Sequence, residues 1–188
     1  MLNKRTKILL TAFEPYGGND TNISQKVLDA TQADVAKLLL PVSFRRAPEV
    51  LNEAIGQFQP DVIISMGQAA EGDKIRLERL AINMMDSAKG DNDGYIPDEE
   101  MICPQAPLAL KTALPVKSLC ADCINAGLPT IVSNSAGLYV CNRIYFEALR
   151  RTPDSLFVHI PKNMDVEIAK QVINILISRK TIQTYIKL

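Results

Sequence analysis

Residues 59–67 are Gln-Pro-Asp-Val-Ile-Ile-Ser-Met-Gly, and this stretch decides the fold class. Its centre, residues 62–66, is almost continuously apolar and is closed by a glycine, which is typical of a strand buried on both faces of a sheet. The residues before it, 48–58, carry apolar side chains at the spacing of an amphipathic helix. A helix that leads directly into a buried strand favours a parallel sheet with helices packed against it.

The same alternation of strands and helices continues in both directions along the chain. Further strands are predicted at residues 7–12, 36–42, 75–79, 129–133 and 156–160, and further helices at residues 24–30, 115–126, 138–149 and 166–178. Residues 89–100 are polar and rich in turn-forming residues, which predicts an exposed insertion with little structure of its own. We therefore predict one α/β domain over residues 1–188, a three-layer α/β/α sandwich around a largely parallel, mixed and twisted sheet.

Composition and charge argue against several classes of function. The 188 residues are 47% hydrophobic, and 21 lysines and arginines balance 21 aspartates and glutamates. A chain without net charge or a basic stripe is not expected to bind nucleic acid. No apolar run reaches the roughly 18 residues of a membrane span, and the N-terminus does not match a secretory signal. We therefore expect no membrane partner and a cytoplasmic location.

One cysteine and one histidine stand out as candidate catalytic residues. Cys141 lies at a predicted strand-to-helix junction, where the positive end of the helix is expected to lower the pKa of the thiol. His159, the only histidine in the chain, ends the predicted strand at residues 156–160 and offers a base for that thiol. Since functional groups collect at the carboxyl ends of parallel strands, this pair indicates a cysteine hydrolase.

Each signal also has a simpler structural interpretation. A lone histidine at a strand end is more often structural than catalytic. Glu78 stands between Arg76 and Arg79 and, taken alone, is most simply a surface carboxylate paired with one of them. Cys120 and Cys123 have the spacing of a zinc or redox motif. They fall inside a predicted helix without a second ligand pair, so a helical pair with one or both thiols packed inward is favoured.

Four short segments together shift the balance toward catalysis. Residues 11–18 are Thr-Ala-Phe-Glu-Pro-Tyr-Gly-Gly, and residues 67–69 are Gly-Gln-Ala, followed at 78–83 by Glu-Arg-Leu-Ala-Ile-Asn. Residues 133–142 are Ser-Asn-Ser-Ala-Gly-Leu-Tyr-Val-Cys-Asn, and residues 157–161 are Phe-Val-His-Ile-Pro. In order and approximate spacing these segments resemble the pyroglutamyl peptidase type I (pyrrolidone-carboxylate peptidase) family of cysteine peptidases. The resemblance implies removal of the N-terminal pyroglutamyl residue from peptides, without a metal or organic cofactor, and suggests a homo-oligomer, either a dimer or a tetramer.

The resemblance also implies roles for individual residues. Cys141 would be the nucleophile, His159 the general base and acid, and Glu78 the carboxylate that orients the imidazole. Backbone N–H groups after Gly137 would hold the oxyanion. The uncharged lactam of pyroglutamate suits an apolar slot. The residues implied in forming that slot and its neighbouring loops are Phe13, Tyr16, Asn22, Gln68, Tyr139 and Val140.

The chain departs from the family pattern in two places that bear on activity. Residues 70–72 are Ala-Glu-Gly, where bacterial members commonly have Gly-Gly-Arg, so any charge stabilisation from that arginine must come from elsewhere. The segment between His159 and the last predicted helix is also shorter than is usual in the family. Two alternatives therefore stay open. One is a related amidase with a shifted substrate, and the other is a non-catalytic binding protein on the same scaffold.

Overall fold

A computed structural model describes residues 6–178, which form a six-stranded sheet between two layers of helices. The strands are β1 (Ile8–Phe13), β2 (Ala36–Leu40), β3 (Val62–Ala69), β4 (Ile75–Glu78), β5 (Leu80–Ile82), β6 (Ala109–Lys111), β7 (Thr130–Ser133) and β8 (Ser155–Pro161). The helices are α1 (Ile23–Ala30), α2 (Arg46–Phe58), α3 (Val116–Asn125), α4 (Val140–Arg151) and α5 (Val166–Ile177). The sheet order is β2-β1-β3-β8-β4-β7, and its neighbours are parallel except for β4 and β8. The predicted α/β sandwich around a largely parallel, mixed sheet is confirmed.

Hydrophobic side chains cover both faces of the sheet. Side chains alternate along a strand, so Leu10 and Ile64 face the layer formed by α1, α3 and α5. Leu9 and Ile63 face the layer formed by α2 and α4. Strand β3 is therefore buried on both faces, as its continuously apolar sequence predicts.

Local sequence signals explain where several helices begin and end. The side chain of Asn22 caps α1 by accepting a hydrogen bond from the Ser24 N–H at 3.0 Å. Asp165 caps α5 by accepting from two backbone N–H groups of its first turn. Helix α2 ends at Gln59, which adopts a left-handed conformation (φ 50°) directly before Pro60. Among the described residues, no helix is both long and apolar enough to cross a bilayer.

The segment after β4 differs from its prediction. The sequence pattern does not reveal strands β5 and β6, which pair antiparallel beside the main sheet and enclose residues 83–108. Most of the polar stretch at residues 89–100 is exposed and forms neither helix nor strand, as predicted, but one of its polar residues is buried. Asp91 is buried and accepts hydrogen bonds from the backbone N–H groups of Phe44, Asp93 and Tyr95. The bond from Phe44 ties the segment to the domain, and the other two shape the turn that follows Asp91.

The cysteine pair on α3 belongs to the hydrophobic core. Cys120 and Cys123 are 4% and 0% exposed, which confirms the prediction of a helical pair packed inward and shows that both thiols are buried. The Cys120 thiol donates to the hydroxyl oxygen of Thr130 at 3.6 Å. Burial raises the pKa of Cys123 to about 11, so this thiol stays protonated near neutral pH.

Candidate active site

The strand register places the candidate residues on one face of the sheet. His159 lies opposite Gly67 in the parallel pair β3–β8 and opposite Arg76 in the antiparallel pair β4–β8. Glu78 lies opposite Phe157 in that second pair. Paired residues on neighbouring strands point to the same face, as do residues two apart on one strand. These five positions therefore share the face that α2 and α4 cover.

A buried hydrogen bond joins the histidine and the glutamate. His159 Nδ1 lies 2.8 Å from Glu78 Oε1, and the two side chains are 8% and 0% exposed. Because a carboxylate only accepts, Nδ1 carries the proton and Nε2 is free for another partner. The interpretation of Glu78 as a surface carboxylate is wrong. His159 also does not end its strand, because β8 continues to Pro161.

Cys141 lies in the first turn of α4, against β3. Gly137, at φ 79°, turns the chain after β7, and α4 begins at Val140. A Cβ atom on Gly67 would lie 2.8 Å from Cys141 Sγ, so the sulfur touches β3 at the position paired with His159. Neighbouring strands are about 4.8 Å apart, which brings the thiol and the imidazole to adjacent positions on the same face.

The surroundings of Cys141 raise the pKa of its thiol to about 12. Burial is the largest cause and the negative charge of Glu78 is the next. A hydrogen bond from the cysteine's own backbone N–H and the positive charge of Arg76 act in the opposite direction. The expectation of a lowered pKa is therefore wrong for the resting thiol, because desolvation outweighs the helix end. A nucleophilic thiolate at this position requires a base beside the sulfur.

Cys141 and His159 line the same cavity, which has a volume of about 490 Å³. All six residues that the resemblance implies for the slot and its loops also line it: Phe13, Tyr16, Asn22, Gln68, Tyr139 and Val140. Glu78 lies behind the imidazole and is fully buried, so it contacts the histidine and is not part of the cavity wall. The structure thus brings every predicted site residue either to this cavity or directly behind it.

Aromatic rings form one wall of the cavity. The ring centroids of Tyr16 and Tyr139 are 6.2 Å apart, and Phe44 packs edge-on against Tyr139 at 5.2 Å. The Tyr139 hydroxyl donates to the Gly90 carbonyl oxygen at 3.0 Å, which joins this wall to the segment 83–108. Burial raises the pKa of Tyr139 to about 12, so its hydroxyl is uncharged near neutral pH. The wall is therefore apolar and neutral.

Two buried amide side chains hold the loops around the cavity. Gln68 Oε1 accepts a hydrogen bond from the Ile23 N–H at 3.1 Å, and the Asn22 side-chain amide donates to the Glu14 carbonyl oxygen at 3.0 Å. Gln68 and Tyr16 also line the cavity together. These bonds tie the loop after β1 to the end of β3, the loop-shaping role that the resemblance implies.

Two further residues at the site were not selected from the sequence. Arg76 lines the cavity, and its Nε lies 3.6 Å from Glu78 Oε1. The sequence does contain an indication of this role, because Arg76 and Glu78 are two residues apart on a predicted strand and their side chains therefore lie on one face. Asn142 accepts a hydrogen bond from the Ile82 N–H and donates to the carbonyl oxygens of Ile82 and Met84, all at 2.8–2.9 Å. It fastens α4 to β5, a long-range contact without a local signal.

The cavity of this α/β sandwich is thus lined by a thiol and an imidazole, and a buried carboxylate contacts the imidazole from behind, groups of the kind that hydrolases with a cysteine nucleophile use. The sequence profile described as pyroglutamyl peptidase matches residues 6–181 of this chain. The chain belongs to the pyroglutamyl peptidase family and is an enzyme of that family, whose members are proteases and hence hydrolases.

Named relatives cover most of the chain. It is 39% identical over 166 residues to the pyrrolidone-carboxylate peptidase of Thermococcus kodakarensis, a match that covers 82% of this chain and 81% of that protein. It is 36% identical over 169 residues to the enzyme of the same name from Bacillus subtilis, covering 84% and 79% of the two chains. The crystal structure of pyrrolidone carboxyl peptidase from Fervidobacterium islandicum superposes with a TM-score of 0.88 at 31% identity, covering 92% of this chain and 96% of that chain.

Proposed function

We propose that this protein removes the N-terminal pyroglutamyl residue from peptides. In this proposal Cys141 is the nucleophile, His159 is the general base and acid, and Glu78 orients the imidazole. The observation that carries it is the buried 2.8 Å contact between His159 and Glu78, directly behind the cavity that Cys141 lines. Family membership supports the substrate class, since the matched relatives are named for this activity.

The reaction follows from the positions of the three groups. His159 Nε2 takes the proton of the Cys141 thiol, and the sulfur electron pair attacks the carbonyl carbon of the pyroglutamyl amide. The imidazolium then gives this proton to the leaving amine, the C–N bond breaks, and a thioester remains on Cys141. Water attacks the thioester with the imidazole as base, which releases pyroglutamate and restores the thiol. Glu78 favours each imidazolium stage through its bond to Nδ1.

The raised pKa of the thiol makes the histidine necessary in this scheme. With a pKa of about 12, the Cys141 thiol is protonated near neutral pH. Transfer of its proton to the imidazole creates two opposite charges side by side, each stabilising the other. The attacking thiolate then forms at the moment of reaction and is not stored in the free enzyme.

The start of α4 offers donors for the oxyanion. The N-terminus of this helix receives no side-chain cap within the described chain, so the first N–H groups are available to the cavity. The nucleophile Cys141 lies in the same turn. When the sulfur attacks, the carbonyl oxygen of the substrate amide becomes negative. These N–H groups would donate hydrogen bonds to it, and the positive end of the helix would stabilise its charge.

The lining of the cavity suits a neutral lactam better than a charged amine. The described lining has aromatic and aliphatic groups at Phe13, Tyr16 and Val140 and contains no aspartate or glutamate. A protonated N-terminal amine would have to shed water without gaining a counter-ion, and Arg76 on the same lining would repel it. Pyroglutamate carries no such charge, and its amide groups need only aimed hydrogen bonds.

An assay with chromogenic amides tests the proposal. We expect the purified protein to release the chromophore from a pyroglutamyl amide, to cleave prolyl and alanyl amides far more slowly, and to lose activity when a thiol blocker is added. Preferred cleavage of the prolyl or alanyl amide would instead establish an amidase with a shifted substrate. A protein that binds pyroglutamyl peptide but cleaves none of the three amides would be a binding protein on this scaffold.

A further inference from the structure

Arg76 contacts the same carboxylate oxygen that the histidine contacts. Its Nε lies 3.6 Å from Glu78 Oε1, and His159 Nδ1 lies 2.8 Å from that oxygen. Arg76 is also the residue directly opposite His159 in the β4–β8 pair. The arginine side chain is 35% exposed and lines the cavity, whereas Glu78 is fully buried. Arg76 is therefore a partly exposed cation that lies between the buried carboxylate and the cavity.

The charges of the proposed reaction require such a partner. When the proton has moved to His159, the site holds a thiolate, an imidazolium and the Glu78 carboxylate, which sum to one negative charge in a largely buried volume. The second carboxylate oxygen, Oε2, makes no hydrogen bond within the described chain. The charge of Glu78 disfavours the thiolate, and the charge of Arg76 favours it. With the guanidinium included, the four charges alternate in sign and sum to zero.

The other titratable groups around the site do not supply this charge. Tyr16 and Tyr139 face Cys141 from the loop after β1 and from the start of α4, and Tyr145 on α4 donates to the Glu78 carbonyl oxygen. Burial raises the pKa of all three tyrosines, so they remain neutral near pH 7. Arg76 is thus the cation that balances the carboxylate among the groups facing the site.

The position of Arg76 also bears on the departure at residues 70–72. A Cβ atom at Gly72, where family members commonly carry arginine, would lie 4.0 Å from Arg76 Nη1. The guanidinium of Arg76 therefore occupies space next to the position from which the usual arginine side chain would start.

We propose that Arg76 is a positioning residue of this enzyme: its guanidinium holds and neutralises the buried Glu78 carboxylate, so that Glu78 can orient His159 without opposing the thiolate of Cys141. The proposal rests on the catalytic roles given under the proposed function. In this proposal the positive charge that neutralises Glu78 comes from Arg76, a residue of β4.

Alkylation of Cys141 tests the role of Arg76 without any substrate. Wild type, Arg76→Gln and Arg76→Lys would be treated with iodoacetamide at several pH values between about 6 and 10, all below the raised pKa of Cys141, so that the alkylation rate follows the small thiolate fraction. The alkylated cysteine peptides would then be quantified by mass spectrometry. Cys103, which is partly exposed and outside the cavity, serves as an internal control. We expect Arg76→Gln to slow Cys141 alkylation relative to Cys103 at every pH in this range, by about threefold and at most by about tenfold, the effect of one pKa unit.

Two controls separate this role from a merely structural one. Arg76→Lys keeps the charge and should recover most of the alkylation rate, while Arg79→Gln should match wild type because Arg79 lines a different cavity. In a Glu78→Gln background, Arg76→Gln should have a much smaller effect, since the carboxylate it neutralises is gone. Wild-type alkylation in Arg76→Gln, or an equal effect in both backgrounds, would overturn the proposal. Because no substrate is involved, the result stands whether or not pyroglutamyl amides are cleaved.

Discussion

Replacing Gly67 by alanine should damage the site through a single added methyl group. The new Cβ would stand 2.8 Å from both Cys141 Sγ and Phe157 Cζ, whereas ordinary contacts begin near 3.4 Å. One or both neighbours must therefore move by about 0.6 Å. The ring of Phe157 is fully buried and has little room to move. The thiol can rotate away, but it then leaves its place beside His159.

The expected magnitudes follow from these two displacements. Overpacking of this kind costs about 1–3 kcal/mol of unfolding free energy. A nucleophile displaced by a large part of an ångström loses about tenfold to a hundredfold in kcat/KM. Activity on a pyroglutamyl amide should therefore fall further than stability alone explains, at temperatures where urea unfolding shows that the variant is folded.

A second glycine provides a matched control for this substitution. Gly56 lies within α2, and a Cβ atom there would meet nothing within 4 Å. Gly56→Ala should leave activity unchanged and raise stability by about 0.5–1 kcal/mol, because alanine is favoured over glycine inside a helix. If Gly67→Ala were as active as wild type, the sulfur would not rest against β3 and the derived geometry of the nucleophile would be incorrect.

The remaining predictions concern the three proposed catalytic groups and the core. Cys141→Ser should abolish turnover while the unfolding curve stays close to that of wild type, and residual turnover near the wild-type rate would remove the thiol from the mechanism. His159→Ala should lose nearly as much activity as Cys141→Ser. Glu78→Gln should lose less, because the orientation of the imidazole and a charge are lost while the base remains. An unchanged kcat/KM in Glu78→Gln would exclude this carboxylate from the mechanism. In His159→Ala, alkylation of Cys141 should keep rising with pH through the alkaline range, because burial raises the pKa of the thiol, whereas a plateau near neutral pH would show that another base serves the thiol. The folded protein should lose stability as pH rises from 9 toward 11, because Cys123 has a raised pKa when folded and ionises first in the unfolded chain; Cys123→Ala should flatten this part of a stability–pH curve.

Periodicity alone predicted the main architecture correctly. The continuous apolar runs that became β1, β3 and β8 have only one stable placement, inside a sheet covered on both faces, and the helical spacing before β3 marks α2 clearly. Strands β5 and β6 were missed because three residues are too few to establish a two-residue period. The burial of Asp91 was missed because its polar character predicts exposure, while its actual role depends on backbone N–H groups distant in the chain.

The structure brings together the residues selected from the sequence, but it corrects the electrostatics expected of them. The spacing of segments along the sequence selected Cys141, His159 and Glu78, and all three come together through strand register. The pKa of the thiol had the opposite direction from the one expected. A helix end is visible in a sequence, whereas the desolvation that outweighs it depends on how tightly α4 packs against β3. The contribution of Arg76 likewise depends on the antiparallel register of β4 and β8.

Asn142 has a mechanical consequence. Its amide clamps the first turn of α4 to the backbone of Ile82 and Met84, and the sulfur belongs to the neighbouring residue. These hydrogen bonds connect Cys141, through the next residue, to the antiparallel pair β5–β6 that encloses residues 83–108. A change in the position of strand β5 would therefore be transmitted through these hydrogen bonds and a single peptide unit to the sulfur of Cys141.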